Sequence, residues 1–213
     1  MKTNNIDYYN KKADEFISGT KDADLSDLRC KFTEMLTAGG HILDLGCGSG
    51  RDSLAFKDMG FDVHAVDGSS ELVKYCRTIL GDNVTCATFE DFESYFKYDG
   101  IWACASLIHV ERKDLSGIIF KYTKMLNDNG VFFMSFKNGL KDYIKDGRSF
   151  TCFTIDSMKD FLEETGLFSK LEIFESSDAR PERSDEKWVN VIAVKGSDNN
   201  CITGDDDHLL SRL

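Results

Sequence analysis

The stretch Ile42–Asp67 constrains the fold of this 213-residue chain more than any other. It opens with an apolar run that has the pattern of a buried strand. Gly46, Gly48 and Gly50 follow, and glycine permits both a tight turn and the approach of a ligand to bare backbone. A helix is predicted to begin there, so its free N–H groups would face that ligand. A second apolar strand then ends at Asp67.

An acid at the end of the second strand, about 20 residues beyond the glycines, is suited to binding the hydroxyls of a ribose. The dinucleotide fingerprint G-x-G-x-x-G/A requires a third small residue, but Arg51 occupies that position here. The spacing G-x-G-x-G therefore favours a different nucleoside ligand. A nicotinamide or flavin enzyme is the less favoured alternative, and a tight turn without any ligand is a further one.

Composition limits the class of protein. The net charge of −11 argues against a broad nucleic-acid-binding face, although a partner could deliver RNA or DNA. No apolar run is long enough to span a membrane, and the N-terminus lacks the apolar core of a signal peptide. The seven cysteines form no C-x-x-C pair. Because Cys86, Cys104 and Cys152 lie in apolar runs, we expect reduced core thiols of a cytoplasmic protein, with neither a disulfide framework nor a metal site.

The remaining pattern alternates helices with strands and predicts one α/β domain over residues 1–195. One or two amphipathic helices within the first 37 residues are expected to cover the ligand. Residues 138–153 are predicted to form a substrate-facing loop, and residues 176–184 a charged loop, with a solvated hairpin turn as the alternative. The seven predicted strands lie at residues 42–45, 63–66, 84–87, 99–110, 131–136, 171–174 and 188–194.

The composition changes at Gly196, after which the chain is acidic and resembles a linker. Residues 196–213 are therefore predicted to be a tail, and we expect that it leads to a further fused or partner domain. A frayed terminus is the alternative.

Ligands of open α/β sheets bind beyond the carboxyl ends of the strands. The fourth predicted strand exits at Ser106 and His109, which are therefore predicted to lie where chemistry occurs. After the third strand, Phe89 is a candidate for lining an adenine pocket. Glu90 or Asp91 is a candidate acceptor for the adenine amino group. A surface loop is the alternative for each of these three residues.

Four stretches resemble the bacterial class I S-adenosylmethionine (SAM) methyltransferases, and in particular the tellurite-resistance-methyltransferase-like group. They are ILDLGCGSGRDS (42–53), VDGSSELV (66–73), GIWACASLIHV (100–110) and VFFMSFKNG (131–139). The resemblance covers roughly residues 6–195. It implies SAM as the cofactor and a doubly wound, mostly parallel, seven-stranded Rossmann-like sheet. It also implies an N-terminal helical lid and an antiparallel last strand.

The resemblance also implies roles for individual residues. The three glycines would approach the amino-acid end of SAM, in a loop ordered by Asp44, and Asp67 would hold the ribose hydroxyls. Ala105 and Ser106 would line the floor beneath the methyl group. The other predicted cofactor contacts, for which lid packing is the alternative at the tyrosine, are Tyr8, Arg51, Gly68, Ser69, Phe89 and Glu90.

The methyl acceptor is predicted less directly. His109 is the candidate general base, with a hydrogen-bonded structural histidine as the alternative. Arg148, Asp178 and Arg180 are candidates for orienting a polar or anionic substrate. The Asp/Asn-Pro-Pro-Tyr/Phe signature of DNA amino-group methylation cannot occur, because Pro181 is the only proline. We expect a small-molecule acceptor. An RNA- or protein-modifying domain and a SAM-binding module without turnover are the alternatives.

Overall fold

The computed structural model describes residues 3–196, so all but the first residue of the predicted tail lies outside the described residues. The helices are α1 (Thr3–Lys11), α2 (Ala13–Thr20), α3 (Ser26–Thr33), α4 (Arg51–Asp58), α5 (Ser70–Leu80), α6 (Arg112–Thr123) and α7 (Ile155–Thr165). The strands are β1 (His41–Leu45), β2 (Asp62–Asp67), β3 (Val84–Cys86), β4 (Tyr98–Ala103), β5 (Leu126–Asn138), β6 (Tyr143–Lys145), β7 (Arg148–Phe150), β8 (Cys152–Phe153), β9 (Phe168–Ser177) and β10 (Lys187–Lys195).

Seven strands form the main sheet in the order β3-β2-β1-β4-β5-β10-β9. Strands β1 to β5 pair in parallel, whereas β10 pairs antiparallel with both β5 and β9. The two-residue strand β8 adds only to the end of β5. The predicted doubly wound, mostly parallel sheet with an antiparallel last strand is confirmed. Its strand order reverses between β1 and β4, where open sheets of this kind form a ligand crevice.

The central strands are apolar on both faces because helices cover both faces of the sheet. On one face, Trp102 of β4 stacks on Phe133 of β5 with ring centroids 3.9 Å apart, and Phe32 of α3 packs against both. On the other face, Ile101 and Phe132 join the larger cluster of buried side chains. These two layers of core hold the carboxyl ends of β1, β2 and β4 in fixed positions relative to one another.

The N-terminal region forms three helices, so the expectation of one or two was wrong. The backbone breaks at Lys12, which has φ −117° and ψ 21°, and this break separates α1 from α2. Helices α1 and α2 lie over the carboxyl ends of the strands, where they contact α5. Helix α3 instead inserts the fully buried Phe32 into the core. The lid consequently consists of α1 and α2, and α3 anchors it to the sheet.

The segment 138–153, predicted as a loop, contains an antiparallel hairpin formed by β6 and β7. Asp146 and Gly147 form its two-residue turn, with φ of 53° and 77°. An Asp-Gly pair favours this turn because both of its central positions require positive φ. The predicted charged loop at 176–184 is the connection between β9 and β10, and it contains a 3-10 turn at Pro181–Arg183.

Two further observations concern the cysteines and the membrane. Cys152 is buried, but Cys86 is exposed, so the expectation of a core position for Cys86 was wrong. The reason is that Cys86 ends β3, the edge strand of the sheet, with its side chain directed outward. Across the described part of the chain, every helix is too short or too polar to cross a lipid bilayer.

Candidate ligand cleft

A cleft of about 980 Å³ opens at the carboxyl ends of β1, β2 and β4. The glycine loop after β1 forms one wall, and the exit of β4 forms the floor. Lid helices α1 and α2, the β6–β7 hairpin and the β9–β10 connection surround the rest. The cleft therefore lies at the strand-order reversal, where the sequence predicted a ligand.

Gly46 starts the glycine loop in a position that only glycine can occupy. Its φ is +80°, and an added Cβ would lie 2.4 Å from the Cβ of Ser106. The amides of Gly46 and Cys47 both donate to the carbonyl of Val66, at 2.7 and 3.0 Å. The loop is thus fastened to the end of β2 while its backbone stays open toward the cleft.

The Asp67 carboxylate fixes the other side of this loop. The amide of Gly48 donates to one carboxylate oxygen at 2.9 Å, and the amide of Ser69 donates to the other at 2.8 Å. Burial raises the pKa of Asp67, and the backbone N–H donors of Ser69, Gly48 and Gly68 oppose that rise. Each oxygen has a second lone pair, so the carboxylate can accept further hydrogen bonds from a ligand in the cleft.

Asp44, near the end of β1, contributes a second buried carboxyl group to the cleft wall. The Ser53 hydroxyl donates to it at 2.5 Å. Burial raises the pKa of Asp44 to about 7, and the nearby charge of Asp52 adds to this rise. Asp44 therefore changes charge near neutral pH, and a cation beside it would favour the ionised form.

Arg51 and Asp52 form a buried ion pair at the start of α4. Asp52 accepts from Arg51 at 2.6 and 3.0 Å, from Arg29 of α3 at 2.7 Å and from the Trp102 indole at 3.0 Å. Burial acts to raise the pKa of Asp52, but the charges and hydrogen bonds of the two arginines outweigh it and lower the pKa. This cluster ties α3, the end of the glycine loop and the central sheet together.

The exit of β4 forms the floor of the cleft with a strained backbone. Ala105 has φ +53°, an uncommon conformation for a residue other than glycine. Its amide donates to the Ser135 hydroxyl at 2.8 Å, and the Ser106 hydroxyl donates to the Leu45 carbonyl at 2.6 Å. These bonds join β1, β4 and β5 at one level. Ala105 and Ser106 thus lie in the cleft lining beside the glycine loop, and their place beneath a methyl group stays a prediction.

His109 lines the cleft but has both ring nitrogens occupied. Its Nδ1 lies 2.8 Å from the Ser149 carbonyl, which can only accept, so Nδ1 carries the proton. Nε2 therefore accepts from the Tyr9 hydroxyl at 2.8 Å. Burial lowers the pKa of His109 to about 4. The imidazole is consequently neutral near pH 7, and Tyr9 occupies the lone pair that a general base would use.

We expect the imidazole C–H resonances of His109 in the NMR spectrum to stay unchanged from pH 8 to pH 5. The folded pKa of about 4 lies below the ordinary value of 6.5, so the neutral form persists throughout this range. The Tyr9→Phe variant lacks the hydroxyl that donates to Nε2, so the imidazole resonances that shift in its spectrum are assigned to His109. A titration midpoint near 6.5 in the unaltered protein would contradict the buried, neutral imidazole.

The far end of the cleft is formed by a polar cluster centred on Asp178. This carboxylate accepts from Arg180 Nε and Nη2 at 2.8 and 2.7 Å, and from the Trp188 indole at 3.1 Å. The Nζ of Lys137 lies 3.4 Å from Oδ2 of Asp178 and 3.8 Å from the centroid of the Trp188 ring. Asp178 and Arg180 do line the cleft as predicted, but each is held primarily by the other.

Six predicted cofactor residues lie outside the cleft lining. Ser69 caps α5 by accepting from the Leu72 amide, and Gly68 lies against Ile6 of the lid. Gly50 caps the start of α4 at φ +72°. The remaining three are Tyr8, Phe89 and Glu90.

Phe89 and Glu90, the residues of the predicted adenine pocket, lie outside the cleft lining, and their contact with adenine stays a prediction. Phe89 is buried in the larger apolar cluster, where its carbonyl accepts from the Tyr122 hydroxyl at 3.1 Å. Glu90 is exposed, and its carbonyl accepts from Lys121 at 2.6 Å. The segment after β3 packs against α6 through the Tyr122 bond, while the tip of the Phe89 ring lies beside Gly46, where an added Cβ would be 3.5 Å from it.

Sequence reasoning missed several residues of the cleft wall. Tyr9, rather than Tyr8, lines the cleft, and Phe16 of α2 covers Gly48 from a position seven residues further along the chain. Helical spacing does place Tyr9 and Phe16 on one face, and the T-shaped contact between their rings confirms it. The pattern did not single out Asn190, which lies within a predicted strand, or Lys137, which directly follows one.

Residues 42–130 match a family model described as a methyltransferase domain. A curated relative from Staphylococcus carnosus (strain TM300), described as an uncharacterized methyltransferase, is 28% identical over 109 residues. These residues are 49% of this chain and 53% of that protein, so the chain spans about half the length of this relative.

Two solved structures show the same fold. Burkholderia thailandensis 1,6-didemethyltoxoflavin-N1-methyltransferase, with bound 1,6-didemethyltoxoflavin and S-adenosylhomocysteine, has a TM-score of 0.74 at 18% identity. That match covers 91% of this chain and 88% of the other. TehB from Haemophilus influenzae has a TM-score of 0.64 at 17% identity, covering 86% and 67%. Residues 42–130 thus match the methyltransferase-domain family, within a chain that has the Rossmann-like fold of such methyltransferases.

Proposed function

We propose that this chain binds SAM in the cleft and transfers its methyl group to a small-molecule acceptor. One observation carries the proposal. The open backbone of Gly46 and Gly48 faces the cleft directly beside the Asp67 carboxylate at the next strand end. Glycines carry no side chain and so admit the amino-acid end of a nucleoside ligand close to the backbone, and a carboxylate suits its ribose. Arg51 in place of a third small residue disfavours a dinucleotide.

The side chains that line the cleft fit SAM chemically. SAM carries a positive sulfonium and a positive amino group, and the cleft wall offers two buried carboxyl groups, Asp44 and Asp67. Gly46 and Gly48 would admit the amino-acid end, and Asp67 would accept from the ribose hydroxyls. Ala105 and Ser106 would lie beneath the reacting atoms. The charge of the cofactor thus complements the charge of the cleft.

When bound, SAM supplies a methyl group attached to a positively charged sulfur. The chain contributes mainly placement, because an in-line displacement needs the acceptor aligned behind the methyl group. Ideal placement contributes roughly 7–11 kcal/mol to lowering the barrier. We assign Tyr9 the contact with the acceptor, since its hydroxyl lies in the cleft. His109 then acts as a positioning residue, because its Nε2 accepts a hydrogen bond from this hydroxyl and so holds it in place.

The size of the cleft favours a small acceptor. Sites for small molecules and cofactors commonly measure about 300–1,000 Å³, and this cleft of about 980 Å³ has room for SAM and a second small molecule. The lid and the β6–β7 hairpin narrow its mouth. We also propose that the chain belongs to the tellurite-resistance-methyltransferase-like group, which the four sequence stretches support.

We also propose that the protein works in the cytoplasm. Cys47 and Cys76 support this, because they are buried with sulfurs 3.9 Å apart and remain free thiols. Disulfides form and persist in oxidising compartments, whereas the cytosol keeps thiols reduced. Whether a further domain follows the tail stays a prediction.

Calorimetry with SAM, S-adenosylhomocysteine and NAD tests the cofactor. We expect binding of the first two and none of NAD. Methyl-labelled SAM incubated with the protein and a small-molecule extract tests the transfer, and we expect one labelled acceptor. Binding without any labelling would favour a SAM-binding module, and labelling of RNA or protein would favour the macromolecular alternative. Absence of SAM binding would refute the proposal.

Asp44 predicts a pH dependence of SAM binding. Its pKa of about 7 means that much of the free protein holds a proton there at pH 6. A cationic ligand favours the ionised carboxylate, so binding releases that proton and affinity rises with pH. The expected gain is about tenfold between pH 6 and pH 8. Calorimetry in buffers of different ionisation enthalpy measures the released proton, and Asp44→Asn should remove the dependence. A flat profile in the unaltered protein would contradict the prediction.

A further inference from the structure

Arg148, at the start of β7, lies in the cleft with a guanidinium that is poorly satisfied. Its Nε is buried and has no hydrogen-bond partner among the described residues. Its other contacts are long, at 3.5 Å to the Tyr9 hydroxyl and 3.6 Å to Asp146, whose side chain is 58% exposed. A buried N–H without an acceptor costs free energy, so its presence in a folded protein calls for an explanation.

Three other arginines of the cleft are saturated by short carboxylate contacts. Arg51 is held by Asp52, and Arg180 is held by Asp178. Arg183 donates twice to Glu186, both times at 2.6 Å. Arg148 lacks such a partner, although the chain as a whole has a large excess of acidic residues.

Aromatic rings hold Arg148 in place of a carboxylate. Its guanidinium carbon lies 3.9 Å from the centroid of the Tyr8 ring and 5.2 Å from that of Phe150. Stacking of this kind covers a face of the guanidinium plane and leaves its N–H edge available for hydrogen bonds. The side chain is thus oriented in advance without its hydrogen-bonding capacity being used.

The position of Arg148 relates it to the acceptor rather than to the cofactor. The Tyr9 hydroxyl connects it to His109, which lies in the 3-10 turn after β4. Lys145, on the other strand of the hairpin, also lines this part of the cleft. The carboxylates that suit SAM, Asp44 and Asp67, belong to β1 and β2 instead of the hairpin.

We propose that the methyl acceptor is a small anion whose carboxylate or phosphate group binds the N–H edge of Arg148. Planar bidentate recognition of such groups is the chemistry that guanidinium provides best. The anionic group would supply the acceptor that Nε lacks and would orient the reacting atom of the same molecule toward Tyr9. This inference rests on the proposed function, since it names the acceptor class for the same cleft.

The test uses the full chain, with inorganic phosphate and acetate as probes at constant ionic strength in chloride. Two-dimensional NMR follows the Nε–H resonance of Arg148 and the backbone amide of Ser149, with and without S-adenosylhomocysteine. We expect a saturable shift of both resonances with a dissociation constant of roughly 1 mM for at least one probe. If phosphate binds more tightly than acetate, the acceptor carries a phosphate group, and if acetate binds more tightly, it carries a carboxylate.

Arg148→Lys keeps the charge but removes the planar N–H edge, and we expect at least a tenfold weaker response at Ser149. Arg183→Lys is the matched control, because Glu186 already occupies that arginine, and its response should stay within twofold. The inference would be overturned if neither probe gave a saturable shift. An unchanged response in Arg148→Lys, or equal losses in both variants, would also overturn it. Calorimetry with S-adenosylhomocysteine on the same samples separates this failure from failure of the proposed function.

Discussion

Replacing Gly48 by valine is expected to abolish SAM binding, with a loss of at least about 100-fold, or roughly 2.7 kcal/mol. Gly48 has φ +57°, a conformation that β-branched residues avoid. An added Cβ would also lie 3.0 Å from the Phe16 ring, so the valine methyl groups would press against the lid. These methyl groups would occupy the space through which the ligand must approach the backbone. Calorimetry with SAM and S-adenosylhomocysteine measures the loss.

Gly60→Val is the matched control for this variant. Gly60 also has positive φ, at +91°, but an added Cβ would have no atom within 4 Å. Both variants therefore carry backbone strain, and both should lower the melting temperature, but only Gly48→Val should lose SAM binding. Normal affinity in a folded Gly48→Val protein would refute the role of this loop. Equal loss in both variants would assign the effect to stability alone.

Replacing Asp67 by alanine is expected to weaken SAM binding by about 1–3 kcal/mol, which is the usual range for a lost hydrogen bond to a charged group. The carboxylate has two roles, because it would accept from the ribose and also holds the amides of Gly48 and Ser69. Asp67→Asn keeps one acceptor oxygen for those amides, so the difference between the two variants estimates the part due to loop order. Calorimetry measures both affinities.

Asp62→Ala is the control at the opposite end of the same strand. Its side chain is 58% exposed and, among residues 3–196, forms its short side-chain contact with His41, which is 60% exposed. We expect unchanged SAM affinity in this variant, because exposed ion pairs of this kind contribute little. Unchanged affinity in Asp67→Ala would instead show that the ribose lies elsewhere, and it would remove the main support for the proposed orientation of the cofactor.

Most of the fold could be predicted because its signals are local. Buried parallel strands appear as continuous apolar runs, and positive-φ turns appear as glycines. The same locality explains the errors. The Asp146-Gly147 turn signal lay between short strands with little apolar pattern, so the hairpin was predicted as a loop. The break at Lys12 carries no proline or glycine, and it was missed for that reason.

The candidate site was predictable only in part. Asp44, Gly46, Gly48 and Asp67 follow directly from the strand ends, and all four line the cleft. The position of Phe89 outside the cleft lining could not be predicted, because the orientation of a side chain after a strand depends on what packs against it. Here α6 binds that segment through Tyr122, which no sequence pattern indicated.

The amino-acid sequence by itself determined the glycine loop, its acid and the parallel sheet, because each depends on residues close together in the chain. Only the tertiary structure decided which side chains surround the acceptor. Tyr9 reaches His109 across 100 residues of sequence, and Arg148 reaches Tyr9 across 139. Such contacts arise when the lid and the hairpin pack onto the same sheet edge, and side-chain packing between distant segments leaves no periodic signal in the sequence.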